Sequence, residues 1–89
     1  DIVCILYDSY KRKSKIITLY SKYETSESLK GIKEKLKGNF MYTHKSCIVN
    51  MDNVKTIDIK NKVIVFSNNT KTDLLSRKYL KEVKEYVNN

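Results

Sequence analysis

Residues Ile2 to Tyr7 read Ile-Val-Cys-Ile-Leu-Tyr, six apolar positions without a polar interruption. The run is too short for a buried helix and is rich in β-branched and aromatic side chains, so it reads as a strand covered on both faces. A chain of 89 residues can do this only as one small domain, which buries part of its unfolded surface and has modest stability. A large internal active site does not fit such a body.

The rest of the chain is punctuated like a β-protein. Asp8 to Ser14 breaks the first run and Ile16 to Tyr20 resumes strand character, giving a hairpin with Lys11-Arg12-Lys13 at its tip beside Tyr10. Thr25 or Ser26 then offers an N-cap, and Glu27 suits a first helical turn. Leu29, Ile32 and Leu36 fall on one stripe before Gly38, which predicts an amphipathic helix. Its Lys30, Lys33, Lys35 and Lys37 form the solvated face. Further strands are expected at Val54 to Ile59, Val63 to Phe66 and Lys71 to Leu75, divided by Lys60-Asn61-Lys62 and Ser67 to Thr70. Ser76 is placed to cap a last helix with Tyr79, Leu80, Val83 and Val87 on its apolar stripe. The predicted architecture is mainly β, an antiparallel sheet fold with two short helices.

Eighteen Lys and Arg stand against ten Asp and Glu, a formal charge of +8 that attracts polyanions. Nucleic acid is the first partner this implies and an anionic membrane surface the second. No run of eighteen apolar residues and no signal-peptide pattern is present. Cys4 and Cys47 lie far apart in apolar surroundings and, with a single histidine, make a poor zinc set. Buried reduced thiols are expected, which suits a cytoplasmic protein, with no metal and no cofactor.

The stretch Phe40 to Asn50, Phe-Met-Tyr-Thr-His-Lys-Ser-Cys-Ile-Val-Asn, holds the only histidine. Phe40 and Ile48-Val49 read as core anchors that mount Thr43-His44-Lys45-Ser46 at the surface. Asn50 is expected to bridge backbone groups at the strand exit. His44 has four conceivable roles: general base, metal ligand, structural hydrogen bonder or DNA contact. The first two lack partner residues.

Phe40, His44-Lys45-Ser46, Ile48-Val49-Asn50 and, about thirty residues on, Ser76-Arg77-Lys78-Tyr79 together resemble the LytTR family of bacterial DNA-binding output domains, and the likeness covers nearly the whole chain. The resemblance implies an elongated antiparallel β-domain that binds double-stranded DNA, with loops entering successive major grooves. It implies a DNA-contacting set of Lys45, Arg77, His44, Ser46 and Lys78, plus the hairpin residues Arg12, Lys13 and Ser14, among which the base-facing one is left open. Lys45 stands where the family usually has Arg, and as a flexible point charge it should discriminate less sharply than the planar fork of Arg77. Placed in separate loops, Lys45 and Arg77 are expected about one helical turn of DNA, roughly 10 bp, apart.

Two departures from the family are visible. Tyr42 stands where a basic residue is common. The family also has a strand before the point matching Asp1, which this chain lacks, so residues 1–89 are expected to be one domain excised from a longer regulator with an open edge along Ile2 to Tyr7. The resemblance leaves room for a receiver domain elsewhere in that chain and for a dimer on repeated sites. Two other readings compete: a basic module for RNA or an acidic protein, and a Mg²⁺-dependent nuclease built on Asp58-Ile59-Lys60, with Asp52 as the nearest second acid.

Overall fold

Alternation along strand β1 (Ile2–Asp8) sets the architecture. In the computed structural model, which describes residues 1–87, Cys4 and Leu6 face one core while Ile5 and Tyr7 face another. β1 is therefore covered on both faces, as its unbroken apolar run requires. A bulge between Ile2 and Cys4 turns Val3 and Cys4 into the same core.

β1 pairs antiparallel with β2 (Lys13–Thr18) on one side and with the strand Cys47–Asn50 on the other. The open edge expected along Ile2 to Tyr7 is thus not found, because both rows of its backbone groups are hydrogen-bonded within the sheet. Numbering in chain order, β3 is Lys22–Thr25, β4 is Phe40–His44 and β5 is Cys47–Asn50, and the five-stranded sheet runs β3-β2-β1-β5-β4. β6 (Val54–Asp58), β7 (Val63–Phe66) and the two-residue β8 (Lys71–Thr72) form a second antiparallel sheet in that order. The shape measures 34 × 27 × 24 Å.

The helices cover different parts of the large sheet. α1 (Leu29–Lys35) seals the face of Ile5 and Ile48 with Leu29 and Ile32, and Leu36 packs at its end. Its N-cap is Ser28, whose hydroxyl accepts from the Gly31 amide at 3.1 Å, two to three residues later than the start expected at Thr25 or Ser26. Thr25 instead closes β3, and Glu27 lies outside the helix and pairs with Lys35 at 2.7 Å. Gly38 ends the segment at φ +107°, where a Cβ would be strained. α2 (Arg77–Val87) buries Val83 against the opposite core, together with Ile64, Phe66 and Leu75.

At the end of the sheet where the chain enters, Asn50 and Asn53 each donate a side-chain amide to the Ile2 carbonyl at 2.8 Å, and the Asn50 oxygen accepts from the Asp52 amide. Asn50 therefore bridges backbone at the strand exit, through the 3-10 turn Met51–Asn53.

Cys4 and Cys47 are free and buried in one core. Burial, and then the nearby Cys47, pushes the Cys4 thiol from the ordinary 9.0 up to about 12. Burial pushes Cys47 up to about 11, with the Thr43 hydroxyl acting in the other direction. Both thiols should therefore resist a water-soluble thiol reagent at pH 8 and react at once in denaturant. The folded values lie above the unfolded one, so the stability these neutral thiols contribute is complete below about pH 9 and fades as pH rises toward 11 to 12. Rapid labelling without denaturant would contradict this burial.

Candidate nucleic-acid interface

Antiparallel pairing brings three remote loops to one end of the large sheet. Asp8 pairs with Lys13, Leu6 pairs with Cys47, and the Tyr7 amide donates to the Ser46 carbonyl at 2.9 Å. The tip of the β1–β2 hairpin and the β4–β5 turn therefore lie side by side. The third loop, residues 73–76, reaches the same end along the free side of β4: the Ser76 amide donates to the Thr43 carbonyl at 2.7 Å, and the Thr43 hydroxyl donates to the Leu74 carbonyl at 2.7 Å. The order across this end is hairpin tip, β4–β5 turn, start of α2.

In the β4–β5 turn, His44 uses Nδ1 to accept from the Ser46 amide at 3.0 Å. It shapes the turn, and its half-buried ring leaves Lys45 exposed at the apex with Ser46 half-buried beside it. Thr43 differs from the expected quartet of surface side chains, being completely buried. It sits at an irregularity in the β4–β5 register, between Tyr42 and His44, and holds both hydrogen bonds to residues 74–76. Strand alternation puts Thr43 on the face of Met41, but Phe40 and Tyr42 pack against a core on the other face, so alternation alone does not mark Thr43 as buried.

At the hairpin tip one carboxylate oxygen of Asp8 accepts from the amides of Tyr10 and Lys11 at 2.9 and 3.2 Å, and Arg12 closes the turn at φ +55°. Tyr10, Lys11, Arg12 and Lys13 are exposed, with Lys11 leaning toward Glu24 at 3.9 Å. Ser14 is a correction to the expected contact set: it lies in β2, is fully buried, and donates its hydroxyl to the Glu27 carbonyl at 2.7 Å. Its hydroxyl joins β2 to the approach of α1 and does not reach the surface.

Arg77 and Lys78 open α2 and are exposed. Lys78 holds its ammonium 5.4 Å from the centre of the Tyr79 ring, and Tyr79 stacks on Tyr42 at 5.9 Å. Tyr42, at the position where a cation was expected, thus anchors the helix to β4. Arg77 is one residue from Ser76 and Lys45 two from Thr43. With Cα atoms 3.8 Å apart along a chain, these two residues cannot be separated by more than about 18 Å at Cα. At Cα the two residues therefore lie well short of the roughly 34 Å of a full DNA turn, so contacts a turn apart would need both side chains extended and the DNA bent.

Asp58 belongs to another turn. Its carboxylate accepts from the Asn61 amide at 3.0 Å and the Asn61 side chain at 2.8 Å, and these bonds hold its pKa below the usual carboxylate value. The nearest acid in sequence, Asp52, is occupied with the Asn39 side chain at 2.8 Å. Among the described residues no cluster of three His, Cys, Asp or Glu is arranged to hold a metal. No helix among them is long and apolar enough to cross a membrane.

The molecule is thus a two-sheet antiparallel β-domain that gathers cations from three loops at one end, a class of surface suited to a polyanion. A family model described as the LytTr DNA-binding domain matches residues 1–88. The chain belongs to the LytTR family of DNA-binding domains. Among solved structures it is similar to the LytTr DNA-binding domain of a protein described as a methyl-accepting/DNA response regulator from Bacillus cereus. The TM-score is 0.83 at 17% identity, over 99% of this chain and 82% of that one, a likeness of fold. No curated protein matches the sequence.

Replacing Thr43 by Val keeps the shape and removes the hydroxyl, leaving the Leu74 carbonyl without its buried donor. The cost should be about 1 to 3 kcal/mol in urea unfolding. An unchanged midpoint would show that the Thr43 hydroxyl contributes nothing to tying residues 74–76 to β4.

Proposed function

We propose that this domain binds double-stranded DNA sequence-specifically, as the output domain of a bacterial transcription regulator, through the end of the sheet that carries Arg12, Lys13, His44, Lys45, Ser46, Arg77 and Lys78. The observation that carries the reading is the convergence of these residues from three loops onto one end of a domain in a DNA-binding family.

Within this row the roles divide by geometry and side-chain chemistry. The hairpin tip and Arg77 are the outermost members, and Lys45 lies between them. Strands spaced about 4.8 Å apart put β2 roughly 14 Å from β4, and the start of α2 lies beyond β4. The outer pair, with long side chains and some bending of the DNA, suits successive major grooves, while Lys45 meets the backbone or groove in between. Arg77 has the planar fork for a bidentate contact to guanine O6 and N7 and is the sharper reader. Lys45 contributes charge and weaker discrimination. His44 and Ser46 hold Lys45 in place, and Lys78, steadied by Tyr79, serves a phosphate.

Two measurements test this. If about five to seven phosphates are contacted, log K should fall against log salt with a slope of roughly −4.5 to −6. Binding-site selection from random duplexes should yield a preferred sequence, and Arg77→Ala should weaken it by about 1 to 3 kcal/mol and relax one base position. Lys45→Ala should relax less, at a position between the outer two. A preferred sequence unaltered in both variants would remove them as base readers.

The nuclease reading has a direct check as well. Asp58→Ala should leave DNA binding intact, and Mg²⁺ should produce no cleavage. Mg²⁺-dependent cutting lost in Asp58→Ala would reverse the assignment.

A further inference from the structure

The most exposed large hydrophobic side chain among the described residues stands at the start of the basic tip. Tyr10 is 97% exposed. The turn holds it there: the Asp8 carboxylate accepts from its amide and the next one, and left-handed Arg12 closes the loop. Exposure alone does not single it out, since Tyr20 is 87% exposed. Tyr20, however, lies in the β2–β3 turn at the opposite end of the sheet, where Thr18 pairs with Ile2. Only Tyr10 stands among Lys11, Arg12 and Lys13 on the end that also presents Lys45 and Arg77.

We infer that Tyr10 is an apolar contact of the interface, its ring packing inside a groove against deoxyribose and base-edge surface while the neighbouring cations hold the phosphates. This deepens the DNA-binding reading and rests on it. An aromatic ring offers a large contact area at the entropic cost of only two side-chain torsions. Lys11, Arg12 and Lys13, which follow Tyr10 in the turn, would draw the tip to the backbone and place the ring where water is displaced from the groove wall. The turn is fixed by hydrogen bonds before any ligand arrives, so little ordering remains to oppose binding. A contact of this type differs from a phosphate contact in salt behaviour, because it releases no counterions.

The test uses the 89-residue chain and the duplex enriched from a random pool, or a mixed-sequence duplex at low salt if none is enriched. Tyr10→Ser should weaken binding about tenfold, as expected for leaving an aromatic side chain out of a buried contact, with the slope of log K against log salt unchanged. Tyr10→Phe should bind nearly as the parent does. Thermal melting of both variants should match the parent, since the ring touches no core. Acetylation of the free and DNA-bound domain with N-acetylimidazole, read by peptide mass spectrometry, should show Tyr10 protected by DNA and Tyr20 equally reactive in both. If the parent binds DNA while Tyr10 stays reactive, or Tyr10→Ser binds like the parent, the inference is overturned and the DNA-binding reading stands. If Tyr10→Ser flattens the salt slope, its effect runs through the neighbouring cations and the groove contact is overturned. If the parent binds no duplex at all, both fall together.

Discussion

The basic end of the large sheet depends on what Thr43 does at its edge. β4 is an edge strand, and an uncovered edge presents backbone groups that would pair with another chain. Here residues 74–76 cover it, held by the Thr43 hydroxyl to the Leu74 carbonyl and by the Ser76 amide to the Thr43 carbonyl, each at 2.7 Å. These bonds join segments 31 or more residues apart in sequence. They also fix where α2 begins, and so bring Arg77 out beside Lys45. Stacking of Tyr79 on Tyr42 sets the helix against the same strand. Edge protection and assembly of the basic surface are one arrangement.

Gathering cations at one end has a cost in self-repulsion, which the fold limits without neutralising the surface. Lys11 leans toward Glu24 and Lys78 over the Tyr79 ring, both exposed and both weak interactions. Arg12, Lys13, Lys45 and Arg77 have no ion pair among the described residues. On α1, by contrast, Lys35 is paired with Glu27 at 2.7 Å. Solvation and salt keep such a surface tolerable, and a phosphate backbone would relieve the repulsion by supplying the missing counter-charge.

How much of this was legible follows from where each residue's partner lies. Ile2 to Tyr7 and Val63 to Phe66 declared themselves because a buried strand carries its own apolar signal. β3, Lys-Tyr-Glu-Thr, was missed because it is an edge strand with three of its four side chains exposed, so no alternation marks it. β8 shrank to Lys71–Thr72 because Leu74 and Leu75 leave the sheet for the core and the β4 edge. Asn50 was read correctly because short amides bridge backbone locally. The burial of Thr43 and Ser14 is not legible locally, because a hydroxyl goes inside only if a carbonyl elsewhere accepts from it, and Leu74 and Glu27 cannot be named as those acceptors from local pattern. The family resemblance supplied Lys45 and Arg77, yet their closeness depends on hydrogen bonds between remote segments.

The two main hairpins separate what a turn needs from what a contact surface needs. In the β1–β2 tip, Asp8 accepts backbone amides and Arg12, four residues on, is left-handed at φ +55°. In the β6–β7 turn, Asp58 accepts the Asn61 amide and Lys62, again four residues on, is left-handed at φ +56°. The shared Asp and the left-handed residue close both turns, so neither the carboxylate nor the positive φ points to function, and the Asp-x-Lys tripeptide is accounted for as turn chemistry. What remains different is the content between them: Ser9-Tyr10-Lys11 in one turn, running on into Lys13, against Ile59-Lys60-Asn61 in the other. The same backbone device thus presents an exposed ring among cations at the end shared with Lys45 and Arg77, and at its other use only closes a hairpin.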